Sequence, residues 1–171
     1  IPPSGDDNQI QKYEWLARVS RAVLSRVLRR TQVGTTGWSI RGNVLKEFCD
    51  IGVECNLVLV GVTGQEIYPH PVVNEDHRVT EDSFAKIAVG ARYSDAMYSI
   101  TAMAKFGSPL TAHERIVERA MMAAALGYAC RYSPGVRETE LHSSVGEVFS
   151  QIEQGYKLSG FSDSAYYHHL G

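Results

Sequence analysis

Several features that mark whole classes of protein are scarce or missing in this sequence. Its three cysteines follow no paired zinc spacing, and we expect Cys49, Cys55 and Cys130 to be buried, reduced thiols. Seventeen basic and nineteen acidic residues give a net charge of −2, so no positive surplus favours nucleic acid or an anionic membrane. No apolar run is long enough to span a bilayer, and the N-terminus lacks a signal-peptide pattern. These absences predict a cytoplasmic protein without nucleic-acid or membrane partners.

The length and composition suit one domain. With 171 residues, of which 44% are hydrophobic and 21% charged, the chain can build a sizeable core. Residues 1–9 contain two prolines and two aspartates and show no apolar period, which predicts a tail or linker. We therefore expect the domain to occupy residues 10–171.

The first part of this domain has the pattern of a helical hairpin. Apolar residues recur at helical spacing over residues 10–30, and a second helix is predicted between the capping Thr36 and the terminating Gly52. The apolar stripes are Leu16, Val19, Val23 and Val27 in the first helix, and Ile40, Val44 and Phe48 in the second. Each stripe predicts one buried helix face.

Three strands are predicted after the hairpin. Residues 56–62 are rich in Val and Leu and bounded by glycines, which favours a strand buried on both faces within a central sheet. Residues 84–93 and 96–106 are longer β-type runs separated by a polar turn at Ser94 and Asp95, which predicts a β-hairpin. Helices and strands together predict an α+β fold.

Two further helices, near residues 111–131 and 138–154, repeat the spacing of the first pair. A constant offset of 101 (135 − 34) relates Gly34 to Gly135, Ile40 to Leu141, Val44 to Val145, and Phe48 to Phe149. This predicts two related halves, the first about 10–107 and the second about 108–171. Since no strands are predicted after the second helix pair, the second half looks incomplete.

Four segments in this order resemble the pita-bread superfamily of creatinase, aminopeptidase P, prolidase and methionine aminopeptidase. They are the helix linker at 133–141, the Tyr-Pro-His-Pro sequence at 68–71, the hairpin from Val89 to Gly107, and the His-His-Leu-Gly sequence at 168–171. The resemblance covers residues 10–171 and implies a curved antiparallel sheet with helix pairs. It also implies an Xaa-Pro peptidase-like member, and a homodimer becomes plausible because relatives are commonly dimers.

The hairpin departs from the family pattern where relatives carry two metal-binding aspartates. Aligning Gly90 and Ala91 with the family's Gly-Ala pair puts Ala88 and Ser99, eleven residues apart (99 − 88), at those positions. A two-metal centre needs carboxylates to bridge the ions and offset their charge, which a methyl or hydroxyl group cannot do. We therefore expect no metal cofactor. A divalent Mn, Zn or Co ion is expected as a cofactor only under the alternative that the chain is a metallopeptidase.

Five residues are candidates for the site. His70, held between two prolines, matches the family's substrate histidine and is the predicted acid or base, although a loop histidine is the simpler alternative. His169 matches the family's metal-binding histidine and could orient the substrate or an attacking water. Tyr167, Ser99 and Thr101 are predicted to bind substrate, against the alternatives of an aromatic on a sheet surface and a cross-strand pair.

These residues predict a hydrolase homologue that acts on a C–N bond of a small polar or peptide-like substrate, without the usual dinuclear site. Creatinase is the family precedent for such chemistry with a histidine in place of metals. Two alternatives remain open. One is a non-catalytic pita-bread module that binds a peptide or protein, and the other is a metal-dependent Xaa-Pro aminopeptidase or dipeptidase.

Overall fold

The computed structural model describes residues 8–62 and 76–156, and every helix and strand predicted from the sequence is present there. The elements are α1 (Gln9–Arg30), α2 (Gly37–Asp50), β1 (Glu54–Val62), β2 (Phe84–Tyr93), β3 (Ala96–Lys105), α3 (Ala112–Arg131) and α4 (Glu138–Tyr156). The chain divides into two compact units, with the boundary between Pro109 and Leu110. Within the described ranges, the helices are too short or too polar to cross a membrane. The boundaries proposed for a tail and two halves stay predictions.

The helix pairs confirm the internal repeat at two of its positions. Gly34 and Gly135 both have φ +92°, a left-handed conformation that glycine adopts without a steric penalty. Ile40 and Leu141 are both buried, at 0% and 3% exposure. Each helix pair therefore has a glycine with positive φ in its connection, and the two helices pack on each other, α1 on α2 and α3 on α4.

Caps define where the helices begin. Asn8 accepts a hydrogen bond from the Ile10 backbone N–H, so α1 starts one residue before the predicted boundary. Thr36 accepts from the Ser39 backbone N–H at the start of α2, as predicted. Thr111 and Glu114 form a reciprocal capping box at the start of α3.

The three strands form an antiparallel sheet in the order β1-β2-β3, and one of its faces packs against the first helix pair. Helix α1 lies on β3 and β2, whereas α2 lies on β1. The core between the helices and this sheet face includes Leu16, Val23, Leu24, Val27, Ile40, Val44, Phe48, Val58, Val60, Ile87 and Val89. The helical stripes predicted from the sequence, apart from the partly buried Val19, therefore lie in this core and meet alternate residues of the strands.

The structure corrects two expectations for β1 and the cysteines. Only alternate residues of β1, such as Val58 and Val60, are buried, so the expected burial of this strand on both faces was wrong. Leu57 is 46% exposed because it lies on the face away from the helices. Cys49 and Cys130 are exposed and Cys55 is half-buried, so the prediction of buried thiols was wrong, although all three are free.

Two contacts join α1 to the β2–β3 turn. Lys12 donates a hydrogen bond of 2.9 Å to the carboxylate of Asp95, and the rings of Trp15 and Tyr93 lie with centroids 4.6 Å apart. Asp95 is therefore a turn residue, as the sequence predicted. Lys12 is only 4% exposed, so its side chain is buried beside this turn while the side chain of Asp95 remains exposed.

We expect the Lys12–Asp95 pair to make the stability of the fold depend on pH in the acidic range. The hydrogen bond from Lys12 holds the pKa of Asp95 below its ordinary value. A lowered pKa in the folded state stabilises the fold above the ordinary aspartate pKa, about 4, and this contribution disappears as pH falls through the lower folded-state pKa. Asp95→Asn should therefore lower the melting temperature slightly at neutral pH and have no effect in strong acid.

Thermal unfolding monitored by circular dichroism, at neutral pH and in strong acid, checks this expectation. Asp50→Asn is the matched control, because it removes a carboxylate that pairs with Lys46 on the exposed surface of α2. Exposed pairs of this kind contribute little. An Asp95→Asn effect of equal size at neutral and strongly acidic pH would contradict the role given to the ion pair.

Candidate functional site

The sheet face that points away from α1 and α2 carries the described part of the predicted site. We call it the open face, and it comprises Leu57, Leu59 and Gly61 of β1, Lys86, Ala88 and Gly90 of β2, and Met97, Ser99, Thr101 and Met103 of β3. These residues share one side because strand side chains alternate between the two faces. His70, Tyr167 and His169 fall outside the described residues, so their roles stay predictions.

The register of β2 and β3 brings the two metal-ligand positions of the family pattern together. Ala88 lies opposite Thr101, and Gly90 lies opposite Ser99. Ala88 and Ser99 are thus diagonal neighbours on the open face, a relation that separates them by roughly 7 to 8 Å in an antiparallel pair. Ser99 and Thr101 are both exposed and two residues apart, so their hydroxyl groups line the same part of this face.

The chemistry of this part of the open face does not fit a dinuclear metal centre. Ala88 offers a methyl group, Ser99 and Thr101 offer neutral hydroxyls, and Gly90 has no side chain. Hard or borderline divalent ions need anionic oxygen or comparable ligands to offset their charge. Among residues 8–62 and 76–156, no group of three or more His, Cys, Asp or Glu side chains could hold a metal ion. The open face can instead donate and accept hydrogen bonds.

Asn56 belongs to this polar region, and the sequence analysis missed it. The register shifts between Cys55 and Leu57, so Asn56 is the extra residue of a β-bulge. A Cβ atom at Gly90 would lie 2.9 Å from the Asn56 side-chain oxygen and 3.2 Å from the Leu57 Cβ. Asn56 therefore reaches over Gly90 from β1, and Ser99 is the partner of Gly90 on the opposite side, in β3. A glycine inside a strand, which often marks such a close approach, was the available sequence signal.

Lys86 is the second residue that the sequence analysis missed. It lies between Gly61 of β1 and Met103 of β3, two residues before Ala88 on the same face, and is only 8% exposed. Burial lowers the pKa of Lys86, because removal from water disfavours the ammonium ion. The signal in the sequence was a lysine near the start of the β-type run 84–93, in which the only other charged residue is Arg92 near the end.

Ion pairs lie at both ends of the open face. Arg92 approaches Glu54 at 3.2 Å at one end, next to the β2–β3 turn. At the other end Lys105 approaches Asp82 at 3.7 Å, and its ammonium group lies 5.7 Å from the centre of the Phe84 ring. Between these pairs the face carries the hydroxyls of Ser99 and Thr101, apolar side chains and Lys86.

Backbone hydrogen bonds connect His77 and Val79, which follow the segment of His70 in the sequence, to the α1–α2 turn. Gly34 donates to the Val79 carbonyl at 2.7 Å, and Val79 donates to the Thr35 carbonyl at 2.8 Å. Gly37 donates to the carbonyl of His77 at 3.0 Å. These bonds give the chain a fixed starting point for its entry into β2.

Comparison with known proteins connects this architecture to a family. Residues 11–171 match the family described as metallopeptidase family M24. No curated protein sequence matches the chain.

Solved structures of peptidases resemble the chain closely in shape. The X-Pro aminopeptidase from Thermotoga maritima MSB8 has a TM-score of 0.76 at 19% identity. This match covers 86% of the present chain and 42% of the aminopeptidase chain. The prolidase from Pyrococcus furiosus has a TM-score of 0.75 at 19% identity, with coverages of 89% and 45%. Proline aminopeptidase P II from Yersinia pestis has a TM-score of 0.74 at 17% identity, with coverages of 89% and 35%.

These scores confirm the fold that the resemblance implied, an α+β arrangement of helix pairs on an antiparallel sheet. Identities below 20% show the fold alone and carry no information on activity. The chain spans less than half the length of each of these structures.

Proposed function

Because the chain belongs to metallopeptidase family M24, we propose that it is a hydrolase homologue that cleaves a C–N bond without the family's dinuclear metal centre. The substrate is a small polar or peptide-like molecule. The supporting observation is that Ala88 and Ser99, which the family resemblance aligns with the two aspartate positions, lie as neighbours on the open face and carry no group that can bridge metal ions. The fold is retained while the ligands that would bind metal through this hairpin are replaced.

In this proposal a histidine activates the attacking water by removing its proton, whereas in metal-dependent hydrolases a metal ion activates the water by lowering its pKa. His70 is the acid or base, because imidazole changes its charge near neutral pH and exchanges protons readily with a substrate or water. His169 orients the substrate or the attacking water, and Tyr167 lines the substrate pocket. Ser99 and Thr101 donate or accept hydrogen bonds with a polar substrate at the open face.

The rate enhancement that one histidine can supply limits the kind of bond that this site could hydrolyse. A positioned acid or base contributes about 10² to 10⁴ to the rate, far less than hydrolysis of an ordinary peptide bond requires. Positioning and stabilisation of developing negative charge must supply the rest. An activated C–N bond therefore suits this site better than an unactivated peptide bond.

The test is turnover of small amidino compounds and dipeptides by the intact protein, with and without a metal chelator. We expect hydrolysis of at least one amidino compound at a rate that the chelator leaves unchanged, since no step uses a metal. Loss of turnover in chelator, with recovery on addition of Mn, Zn or Co, would establish the metal-dependent peptidase alternative instead. Metal analysis of the purified protein provides an independent readout.

A non-catalytic peptide-binding module is the second candidate, and the apolar part of the open face favours it. Leu57, Met97 and Met103 are 46%, 55% and 51% exposed, and flexible methionines suit adaptable binding surfaces. This candidate predicts peptide binding without turnover of any compound in the panel. Detection of hydrolysis that His70→Ala abolishes would exclude it.

A further inference from the structure

Helix α1 concentrates positive charge in a chain that is otherwise acidic. The helix contains six basic residues and one acidic residue, Glu14, so its net charge is +5 (6 − 1). The rest of the chain contains eleven basic and eighteen acidic residues (17 − 6 and 19 − 1), which gives a net charge of −7. The total of −2 therefore combines one strongly positive helix with an acidic remainder.

Two of the five arginines of α1 have a partner within the fold. Arg26 and Arg30 approach the two carboxylate oxygens of Glu47 on α2, at 2.5 and 2.8 Å, and the Glu47 side chain is only 14% exposed. Charge-assisted hydrogen bonds of this kind are among the stronger ones. The shared carboxylate joins α1 to α2, so the packing of the helix pair accounts for Arg26 and Arg30.

The other three arginines, Arg18, Arg21 and Arg29, form what we call the arginine face. They are exposed and lie on the side of α1 away from its buried residues. Because Arg18 and Arg29 are eleven residues apart (29 − 18), the row is roughly 16 Å long. In the part of the chain that the structure describes, no carboxylate pairs with these three side chains, although Glu14 is exposed four residues before Arg18.

The stability of the helix does not account for the whole arginine face. Arg29 lies in the last turn, where a positive charge interacts favourably with the helix dipole. Arg18 and Arg21 lie in the middle of α1, where this benefit is absent, and like charges on neighbouring turns repel each other. Charges of alternating sign would keep a helix face soluble without this repulsion. The row of arginines therefore indicates that an anionic partner binds here.

The charge of the rest of the chain restricts the size of that partner. A long polyanion, such as nucleic acid or an anionic membrane, would extend beyond the 16 Å row and meet the acidic remainder of the protein. Repulsion over distances within the Debye length, about 8 Å at physiological ionic strength, is only partly screened. A short acidic segment of a protein avoids this repulsion. Its carboxylates can each accept two parallel hydrogen bonds from a guanidinium group.

We propose that the arginine face of α1 is a docking surface for a short acidic segment of a partner protein. Arg18, Arg21 and Arg29 bind carboxylates along roughly five extended residues of this segment, the number that spans the row. The helix packs its opposite side on the sheet. The docking surface is therefore separate from the open face, and it goes beyond the proposed hydrolysis.

The test measures binding of two fluorescein-labelled peptides to the intact protein by fluorescence anisotropy, one of eight glutamates and one of eight glutamines. We expect the glutamate peptide to bind at least about tenfold more tightly at physiological ionic strength. This preference should disappear at about 1 M salt, where the Debye length falls to about 3 Å. Replacing Arg18, Arg21 and Arg29 together with alanine should reduce the ratio of the two affinities to about one.

The matched control replaces Arg115, Arg119 and Arg131 of α3 together with alanine. These three arginines are exposed on one helix, and their removal makes the same change in net charge. The affinity ratio should stay unchanged, because only the row on α1 binds the acidic peptide. Circular dichroism checks that both triple variants are folded.

A single charge reversal, Arg21→Glu, provides a second variant that keeps the other two arginines. It should lower the ratio by about threefold or more, because it replaces an attraction with a repulsion. This variant decides the question if the triple alanine variant of α1 does not fold.

Equal affinity of the two peptides for the natural protein would overturn the proposal. A preference that survives in the folded variants of α1, or an equal loss in the α3 control, would do the same. A short DNA duplex and phosphatidylserine vesicles serve as competing probes. If either bound through the arginine face more tightly than the glutamate peptide, the surface would be a general polyanion site rather than a docking surface for a protein segment.

Discussion

His70→Ala is expected to lower kcat/KM for the best amidino substrate by about 10² to 10⁴, the usual contribution of a positioned acid or base. This is the largest functional effect that the proposal predicts for a single side chain. The loss should fall mainly on kcat, since the imidazole acts during proton transfer rather than in substrate binding. Initial rates over a range of substrate concentrations separate the two parameters. Added imidazole should restore part of the activity, because it supplies the missing base from solution.

His113→Ala is the control for this substitution. His113 is exposed near the start of α3, and its removal should leave kcat and KM unchanged. Unchanged turnover after His70→Ala would exclude His70 from the mechanism. A rise in KM alone, without rescue by imidazole, would make it a binding residue. Either result would leave the fold and the family unaffected, because neither depends on this side chain.

The helical part of the fold could be predicted from the sequence because its signals are local. The spacing of Leu16, Val23 and Val27 is enough to define the buried face of α1, and these residues are all within 2% of complete burial. Gly34 and Gly135 could be matched because a helix turn with positive φ favours glycine wherever it occurs. Periodicity and turn chemistry are properties of a few neighbouring residues.

The open face could not be predicted in the same way because it depends on pairing between distant strands. A run such as residues 56–62 is compatible with burial on one face or on both, and only the packing of α2 on β1 decides between them. The bulge at Asn56 shifts the register in a way that no local pattern reveals. Lys86 was visible as a lone lysine, but its burial follows from its neighbours Gly61 and Met103 in other strands.

Within the candidate site, the structure shows where Ala88 and Ser99 lie, whereas His70, Tyr167 and His169 are known only from their motifs. Family resemblance placed Ala88 and Ser99 in the same region, and the strand register puts them on one face as diagonal neighbours. The sequence itself shows that neither position carries a carboxylate, whereas the assignment of these positions to the family's aspartates stays a prediction. The roles of His70, Tyr167 and His169 come from motif positions alone and stay predictions.

The largest effect on stability is expected from Phe48→Ala. Phe48 is the largest fully buried side chain of the core and is 0% exposed, and its backbone carbonyl accepts hydrogen bonds from Ile51 and Val53 at the end of α2. Replacing a buried phenylalanine with alanine removes its transfer free energy and leaves a cavity, which together cost about 3 to 5 kcal/mol. Whole domains are stable by only about 5 to 15 kcal/mol, so this variant should be close to unfolding at ambient temperature.

Urea denaturation of the intact protein measures this effect, with the midpoint falling and the slope unchanged if the substitution acts on the folded state alone. Leu45→Ala is the matched control, because Leu45 lies on the same helix but is 38% exposed. It should cost less than about 1 kcal/mol, since little apolar surface leaves water at that position. If the two variants lost equal stability, α2 would not present Phe48 to the sheet. The helix would then have rotated about its axis, and the separation of a packed face and an open face on the β-sheet would lose its basis.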